Sequence, residues 1–489
     1  MGQLDVANPS AVANRDDAML SLALSFADAD RDGDLDVALG NWAAGWYRRI
    51  PGEESRNRIL FNENGILDGM SFADLPGMPG ETLTMLFSDI NMDGAQDLLV
   101  GNDFELPDFV YYGDGQGGFT PVQRSHNHMP HTTNTTMAIR TGDLHNDGMP
   151  ELYFAQIAGR SSGVSDTLKM QHLSLYCDAI ETPEAKALCT RNMEIKQWYK
   201  SGNRFDPTFA SKCAELSGDL QAECKGMLVK DLAIQKQDPK ICALIPPDQS
   251  QARAYCDVHF KPRLAPLQSE FDKTIPQIKR SNVLLTRVGS AYVDTAEAEG
   301  LEVGGWSWDV KIADFDNDGW QDVYIVNGTW VPNEVSPSNL FFHNTGQGGF
   351  VEASGPFGLE DYLMTAAAMA FDLDGDGDLD VITHPVNGPL VLFTNTSQTG
   401  NALMVELRDD RGNSHAIGAH VTATLTDGSV MSREVQSGGG FMSFDAPVLH
   451  FGTGEAQEIA ALQIRWPDGE RSEIEGPIAT GQSLRITRN

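Results

Sequence analysis

The sequence predicts a mainly β protein: a β-propeller with an α-helical, disulfide-bonded insertion and a small carboxy-terminal all-β domain. Three observations favour this class. An acidic nonapeptide recurs five times, a short apolar run follows each copy, and all six cysteines fall in one stretch rich in helix formers. Repeats of fixed period are typical of stacked or circular architectures. The expected units are propeller blades at 1–161, the helical insertion at 162–276, further blades at 277–400 and the β domain at 401–489.

The nonapeptide has the ligand pattern of a calcium loop. Oxygen-bearing side chains occupy positions 1, 3, 5 and 9 with one histidine exception, and glycine always occupies position 6. Clustered carboxylates repel one another unless a cation joins them, and Ca²⁺ takes six to eight oxygen ligands. Position 7 varies in side chain, so a backbone carbonyl is the expected ligand there. The roughly five predicted Ca²⁺ sites use Asp28, Asp30, Asp32, Asp34, Asp36, Asp89, Asn91, Asp93, Ala95, Asp97, Asp143, His145, Asp147, Met149, Glu151, Asp314, Asp316, Asp318, Trp320, Asp322, Asp372, Asp374, Asp376, Asp378 and Asp380.

The third copy departs most from this pattern. His145 stands at position 3, where nitrogen suits Ca²⁺ less well, and Glu151 replaces the final aspartate. We expect this copy to bind calcium weakly or to prefer another ion. For a single copy, an acidic surface turn without metal is the alternative interpretation. Because the nonapeptide recurs with an invariant glycine at position 6, we favour the interpretation that these loops bind a metal ion.

An EF-hand uses the same first positions, but it also needs a glutamate at position 12 and flanking helices. Each loop is instead followed by an apolar, partly β-branched run, which predicts a strand. The loops therefore join strand to strand. Position 12 holds Leu39, Val100, Phe154, Ile325 and Thr383, none of them a carboxylate.

The spacing of the loops gives the size of the repeat. Consecutive copies begin 61, 54, 171 and 58 residues apart, so about 114 residues interrupt one unit. Further strand-like segments follow each loop, such as Arg58–Asn62, and a glycine-rich turn precedes the last one. About four strands in a repeated unit is the pattern of a β-propeller blade.

These repeats resemble the FG-GAP/VCBS type shared by integrin α-chain propellers and many bacterial surface proteins. The resemblance implies calcium loops between the first two strands of each blade, structural ions, and ligand recognition by other loops. It also implies that up to seven blades are possible, although five loop-bearing repeats are visible. The number of blades stays open.

Residues 162–276 are predicted to form helices joined by disulfides. Helix formers such as Glu184–Leu188 and Met227–Leu232 replace the strand signals. The cysteines are spaced by 12, 24, 11, 18 and 14 residues, a short–long alternation typical of three hairpins, each closed across its turn. Six cysteines allow 15 connectivities. The favoured pairs are Cys177–Cys189, Cys213–Cys224 and Cys242–Cys256.

A zinc cluster and free buried cysteines are the alternatives to disulfides. The sequence has no CxxC pair, and an even count in one small module favours disulfides and an oxidising compartment. We therefore expect a periplasmic or extracellular protein. Met1–Val6 does not begin a signal peptide, so the leader is expected to lie outside the given sequence.

The charge narrows the choice of partners. The 489 residues include 35 Lys+Arg and 69 Asp+Glu, which gives a net charge of −34. Such a chain lacks the basic surface that nucleic acid or anionic lipid requires. No apolar run approaches the ~18 residues of a membrane-spanning helix. A protein or glycan partner remains, and the charge suits a cationic one; the oligomeric state is not predicted.

The carboxy-terminal region predicts a small all-β domain. Val421–Val435 is a hairpin of two alternating runs around the Asp427-Gly428 turn. The segments Ile417–Val421, Ser437–Phe441, Leu449–Gly454 and Ile464–Gly469 resemble the ASPIC/UnbV domain that ends bacterial relatives of cartilage acidic protein 1.

A histidine-rich segment offers a second kind of metal site. His126, His128 and His131 lie close together in sequence and could bind Cu or Zn, with a polar inter-strand loop as the plain alternative. No phosphate-binding glycine loop and no nucleophile elbow appears in the sequence. This favours a non-enzymatic protein, although a carboxylate pair could be hidden among so many acids.

Three functional hypotheses follow. The first is a calcium-stabilised extracellular or periplasmic scaffold for recognition or adhesion, with the helical insertion as a docking surface. The second is a metal-dependent enzyme or redox accessory that uses the histidine-rich segment. The third is a structural component of a cell-envelope assembly.

Overall fold

A computed structural model describes residues 12–13, 21–42, 53–103, 106–157, 170–187, 189–190, 207–260, 268–279, 281–328, 335–386, 389–397 and 399–488. These residues are mainly β, and most of the helical ones belong to one inserted segment. The mainly β class and the helical insertion are therefore confirmed.

The first two sheets share one plan, in which antiparallel strands follow chain order and the acidic loop joins the first strand of the repeat to the second. In sheet 1 an additional short strand pairs in parallel with the outermost strand. Sheet 1 contains β1 (Val12–Ala13), β2 (Ser21–Ala27), β3 (Asp36–Asn41), β4 (Arg58–Asn62) and β5 (Leu67–Asp74). Sheet 2 contains β6 (Thr82–Ser88), β7 (Asp97–Asn102), β8 (Phe109–Gly113) and β9 (Phe119–Pro121).

Sheet 3 repeats this plan but carries the insertion between its second and third strands, β12 and β15. The chain here forms β10 (Thr132–Thr133), β11 (Thr136–Gly142), β12 (Glu151–Gln156), β13 (Met170–His172), α1 (Leu173–Ala179), α2 (Pro207–Glu215), α3 (Gly218–Lys236), α4 (Ser250–His259), α5 (Gln268–Phe271), β14 (Gln277–Ile278), β15 (Val283–Val288), β16 (Ala291–Asp294) and α6 (Ala296–Glu299). The described residues also contain 3₁₀ helices at Glu53–Ser55, Arg124–His126 and Pro239–Leu244.

Sheet 4 again has four strands, whereas sheet 5 has three among the described residues. The chain here forms β17 (Ser307–Ala313), β18 (Asp322–Asn327), β19 (Val335–Pro337), β20 (Leu340–Asn344), β21 (Phe350–Glu352), β22 (Thr365–Phe371), β23 (Asp380–Pro385) and β24 (Val391–Phe393). Short strand β19 pairs with β13 rather than with sheet 4.

Consecutive sheets pack face to face through shared apolar cores. Strands β7, β12 and β18 are buried along their whole length, so both faces of these sheets are covered. Sheets 1 and 2 share one cluster, sheets 2 and 3 another, and the pattern continues to sheet 5. No strand pairing closes sheet 5 onto sheet 1 within the described ranges, so sheet pairing does not confirm the predicted propeller.

The inserted segment contains the three predicted disulfides. Each cystine joins neighbouring cysteines, with Cα atoms 5.4, 5.6 and 5.6 Å apart. In the third pair, both sulfur-bearing side chains are buried against Ala233, Ile245 and Ala252 between α3 and α4. The short–long cysteine spacing therefore predicted the pairing correctly: Cys177–Cys189, Cys213–Cys224 and Cys242–Cys256.

The carboxy-terminal domain consists of two sheets with one core. One sheet has the order β28-β25-β31 and the other β27-β26-β29-β30, and Leu403, Phe451 and Trp466 lie in the apolar cluster between them. The predicted hairpin around Gly428 is β26 with β27. The strands are β25 (Asn401–Asp409), β26 (His420–Leu425), β27 (Val430–Glu434), β28 (Leu449–Gly454), β29 (Glu458–Arg465), β30 (Arg471–Ala479) and β31 (Gln482–Arg488).

Candidate metal centre

The five acidic loops adopt one backbone conformation. We number them loop 1 (28–36), loop 2 (89–97), loop 3 (143–151), loop 4 (314–322) and loop 5 (372–380). In each, the position-6 glycine has a φ between 82° and 100°, as expected for a sharp reversal that L side chains disfavour. Position 4 also has positive φ, which the sequence analysis missed. The residues at position 4 are Arg31, Met92, Asn146, Asn317 and Gly375.

Carboxylates at the two ends of the nonapeptide fix the loop. The position-1 carboxylate accepts a hydrogen bond from the position-6 amide, as from Gly33 to Asp28 (3.1 Å). The position-9 carboxylate accepts from position 2 and from the third strand, as Asp36 does from Ala29 (2.8 Å) and Asn62 (2.9 Å). Corresponding pairs of amides reach Asp97, Asp322 and Asp380.

The position-5 carboxylate binds the position-7 amide in every loop, so the backbone at position 7 is engaged whatever its side chain. This agrees with the variable residues at that position. The donors are Asp34, Ala95, Met149, Trp320 and Asp378, at 2.8–3.0 Å from Asp32, Asp93, Asp147, Asp318 and Asp376 respectively.

Loops 1, 4 and 5 each bring three carboxylates together. Oxygens from positions 1, 3 and 5 lie within 4.8 Å of one another in these loops. In loop 1, burial followed by repulsion from Asp32 raises the pKa of Asp28 to about 7, and its Oδ1 is buried without a hydrogen-bond partner. Burial also raises the pKa of Asp36 to about 7 and that of Asp97 to about 8. The oxygen donor set and its uncompensated burial fit a hard divalent cation.

In loops 2 and 3 a side chain within the nonapeptide reduces the negative charge of the loop. In loop 2, Asn91 donates from Nδ2 to Asp93 Oδ2 (3.0 Å), so the amide replaces one negative charge. In loop 3, His145 does not join the carboxylates of positions 1 and 5. Its Nδ1 lies 3.0 Å from Glu151 and its Nε2 3.1 Å from Glu299, and these bonds raise the pKa of His145 to about 10. Loop 3 therefore has an internal cation.

Loop 4 gains a histidine from outside the nonapeptide. His343 on β20 places Nδ1 3.2 Å from Asp322 Oδ1 and 3.5 Å from Asp316 Oδ2. The bond to Asp322 raises the pKa of His343 to about 9. The sequence pattern does not indicate this residue, because the nonapeptide ends 21 positions before His343 and only the register of β18 with β20 brings it to the loop.

The carboxy-terminal domain contacts every loop. The contacts are Asn413 N to Gly33 O (2.8 Å), Asp89 N to Glu434 Oε1 (3.1 Å), Ser432 N to Asp143 Oδ2 (3.1 Å), Gly454 N to Asn317 O (2.7 Å) and His450 Nε2 to Gly377 O (3.1 Å). The loop side of the five sheets and this domain therefore share one continuous interface.

Two families match parts of the chain. The family described as FG-GAP-like repeat matches residues 89–154 and 314–383, and the family described as ASPIC and UnbV matches residues 409–489. The chain carries FG-GAP-like repeats and an ASPIC/UnbV domain. Both resemblances inferred from the sequence are thereby confirmed.

Cartilage acidic protein 1 is a weakly similar relative. The chain is 27% identical to the Homo sapiens protein over 180 residues, 28% to the Mus musculus protein over 168 and 29% to the Xenopus tropicalis protein over 177. These alignments cover 33–35% of this chain and only 25–27% of the relatives. Among solved structures, a pilus-presented adhesin, Spy0125 (Cpa), aligns at 8% identity with a TM-score of 0.12, too low to compare folds.

The ASPIC/UnbV domain places two arginines against loop carboxylates. Arg465 Nη2 lies 2.5 Å from Oδ2 of the fully buried Asp89 in loop 2. Arg433 is buried, and its burial lowers its pKa, opposed by attraction to Asp314 and Asp143. These cations partly neutralise position 1 of loops 2, 3 and 4.

A glycine-rich segment of the ASPIC/UnbV domain, residues 437–445, contacts the strand that precedes the acidic loop in each of the five sheets. These strands are β2, β6, β11, β17 and β22. Gly438, Gly439 and Gly440 leave no room for a Cβ, because ideal Cβ atoms would lie 2.1–2.4 Å from neighbouring oxygens. The bonds are Phe26 N to Ser437 O (3.0 Å), Gly439 N to Met85 O (2.6 Å), Ile139 N to Gly439 O (2.8 Å), Ser443 Oγ to Asp309 Oδ2 (2.5 Å) and Ala370 N to Asp445 Oδ1 (3.0 Å).

Of the three histidines in the histidine-rich segment, two lie next to each other and the third pairs with an aspartate. The rings of His126 and His128 lie 5.6 Å apart, while His131 Nε2 binds Asp294 Oδ2 at 2.7 Å. Among the described residues, no group of three close metal-ligating atoms includes these histidines. None of the described helices is long and apolar enough to cross a membrane.

Proposed function

We propose that the protein is a calcium-stabilised recognition scaffold of the extracellular space or periplasm, in which the five sheets form a β-propeller capped by the ASPIC/UnbV domain. One observation carries this proposal: the ASPIC/UnbV domain contacts all five acidic loops. Ions held in such an interface stabilise the joining of two parts of the molecule. They are poorly placed to act on a substrate from solvent.

The circular arrangement is supported by the packing order and by the glycine-rich segment. Consecutive sheets share apolar cores, and segment 437–445 binds the first strand of each sheet. One short segment reaches five strands when those strands surround it. Buried charges line the same region, with Lys311 Nζ 3.2 Å from Asp309 and 3.4 Å from Asp445. The segment would then fill the centre of the propeller.

Calcium is the ion that the loops fit best. Loops 1, 2, 4 and 5 offer carboxylate and amide oxygens from several positions of one tight turn, which suits a hard cation. Loop 3 lacks an oxygen ligand at position 3, because His145 stands there between Glu151 and Glu299, whereas loop 4 keeps carboxylates at positions 1, 3 and 5 and meets His343 from outside the nonapeptide. We therefore expect about four calcium ions in the absence of competing metals.

The disulfides support the proposed compartment. Three cystines in one small helical module persist where the surroundings are oxidising. FG-GAP-like repeats together with an ASPIC/UnbV domain agree with an extracellular protein of the recognition or adhesion type.

The helical insertion is the proposed partner surface, because the loop side is occupied by the ASPIC/UnbV domain. The net charge of −34 favours a cationic protein as the partner. Exposed acids suitable for testing this surface are Glu184, Glu215, Asp219 and Asp257.

The experiment compares the intact chain with a variant that has all four acids changed to lysine. Both are immobilised in calcium and tested against secreted or envelope proteins, with the disulfides and melting temperature checked first. Loss of a salt-sensitive interaction in the variant supports the proposal. Equal binding by both proteins contradicts the assignment of the surface.

A further inference from the structure

Loop 4 differs from the other loops in the residue that the third strand of its repeat places opposite the last carboxylate. In the antiparallel pairing of β18 with β20, Val323 lies opposite Phe342, so His343 comes opposite Asp322 at position 9. The other sheets have a similar register but place an aromatic or hydroxyl side chain at this point. The equivalent residues are Phe61, Tyr112, Thr286 and Thr394.

The three ligand atoms have the spacing of a metal coordination shell. His343 Nδ1 lies 3.2 Å from Asp322 Oδ1 and 3.5 Å from Asp316 Oδ2, and one atom from each of the three residues falls within a 4.8 Å group. Ligands about 2.1 Å from an ion are about 3.0 Å apart at right angles and about 3.4 Å apart at the tetrahedral angle.

A second observation points to a ligand rather than to an ion pair alone. The Oδ1 atom of Asp316 is buried and has no hydrogen-bond partner, although its Oδ2 faces His343. Asp322, by contrast, is fully buried and has both oxygens hydrogen-bonded. The single Nδ1 proton of His343 is donated to Asp322 Oδ1, so Asp316 keeps an ion-pair contact through Oδ2 and has no donor at Oδ1. A cation bound by both residues would compensate both oxygens.

We propose that loop 4 is a mixed nitrogen–oxygen site in which His343, Asp316 and Asp322 bind a first-row divalent transition cation in preference to calcium. Imidazole nitrogen suits zinc, cobalt and related ions, whereas an all-oxygen loop suits calcium. This rests on the proposed role of the loops as metal sites. It adds that the repeats are not equivalent, and that one loop has a different ion preference.

The test uses tag-free, full-length protein with Co²⁺ as a spectroscopic probe in excess Ca²⁺. The His343→Thr variant carries the residue that sheets 3 and 5 have at this point, and Thr394→His transfers the nitrogen to loop 5. We expect one tight Co²⁺ site in the wild type, with a d–d spectrum of nitrogen coordination. In His343→Thr the affinity should fall about tenfold or more, with calcium binding by the other loops unchanged.

Gain of a second Co²⁺ site in Thr394→His would support the proposal even if His343→Thr folded poorly. Unchanged Co²⁺ binding in His343→Thr would overturn it, as would loss of the signal in His128→Asn instead. In both of these cases calcium binding would remain, so the proposed function would stand. If neither Ca²⁺ nor Co²⁺ bound, both proposals would fail.

Discussion

Changing Gly439 to alanine tests whether the ASPIC/UnbV domain is built into the sheet assembly. Gly439 has a φ of 82°, and an ideal Cβ there would lie 2.4 Å from the carbonyl oxygen of Ile139. Its amide donates to Met85 O at 2.6 Å, and its carbonyl accepts from Ile139 N at 2.8 Å. The added methyl group therefore pushes segment 437–445 away from β6 and β11, the strands that contain Met85 and Ile139.

The expected loss has two parts. Alanine in the left-handed region costs about 1–2 kcal/mol. Displacing two buried backbone hydrogen bonds adds about 1–3 kcal/mol for each bond left unmade. The free energy of unfolding should therefore fall by roughly 3–8 kcal/mol in Gly439→Ala.

Gly428→Ala is the matched control in the same domain. Gly428 has a φ of 91°, but nothing lies within 4 Å of its Cβ position, so only the backbone strain applies. Urea unfolding of both variants in calcium should show a clearly larger loss of the free energy of unfolding for Gly439→Ala. Equal losses in the two variants would refute the idea that segment 437–445 fills a crowded site.

Three further predictions concern other parts of the molecule. Arg465→Met leaves the buried Asp89 carboxylate without its arginine and should destabilise by about 3–5 kcal/mol in thermal unfolding. The exposed Arg485→Met should cost less than about 1 kcal/mol, and a similar loss in both would contradict the interface. Burial, then repulsion from Asp103, raises the pKa of Glu81 to about 8, so folding binds a proton there. Stability should therefore decline from about pH 4.5 to pH 8, and Glu81→Gln should flatten that slope in pH-dependent melting; an unchanged slope would exclude Glu81 as its source. Reducing the three disulfides should loosen the helical insertion by about 3 kcal/mol for each closed loop, seen as faster hydrogen exchange in α3 and α4 while the five sheets stay protected.

Features encoded by neighbouring residues could be predicted from the sequence. The invariant glycine of each nonapeptide marks the positive φ, and the apolar runs after position 9 became strands such as β7 and β12. Cysteines 11–14 residues apart paired across short helical turns. Each of these features depends on contacts between residues that are close in sequence.

Features that join distant segments could not be predicted. Arg465 reaches Asp89 across 376 residues and Ser432 reaches Asp143 across 289, and no local pattern marks either contact. The sequence marks Gly438–Gly440 only through the resemblance to the ASPIC/UnbV domain, and it does not show that the small size of these residues serves contacts with other sheets. His343 joins loop 4 only through strand register. Charge and pattern identified the loops, but the covering of the loops depends on how the two parts of the chain pack.

Calcium content measured together with thermal stability tests the central claim most directly. Purified protein is dialysed against calcium, freed of unbound ion, and analysed by elemental analysis and melting before and after EGTA. The proposed scaffold predicts about four Ca²⁺ per chain, a large fall in melting temperature after EGTA, and recovery when Ca²⁺ is restored. Protein without bound calcium, whose melting temperature is the same with EGTA as with Ca²⁺, would contradict it.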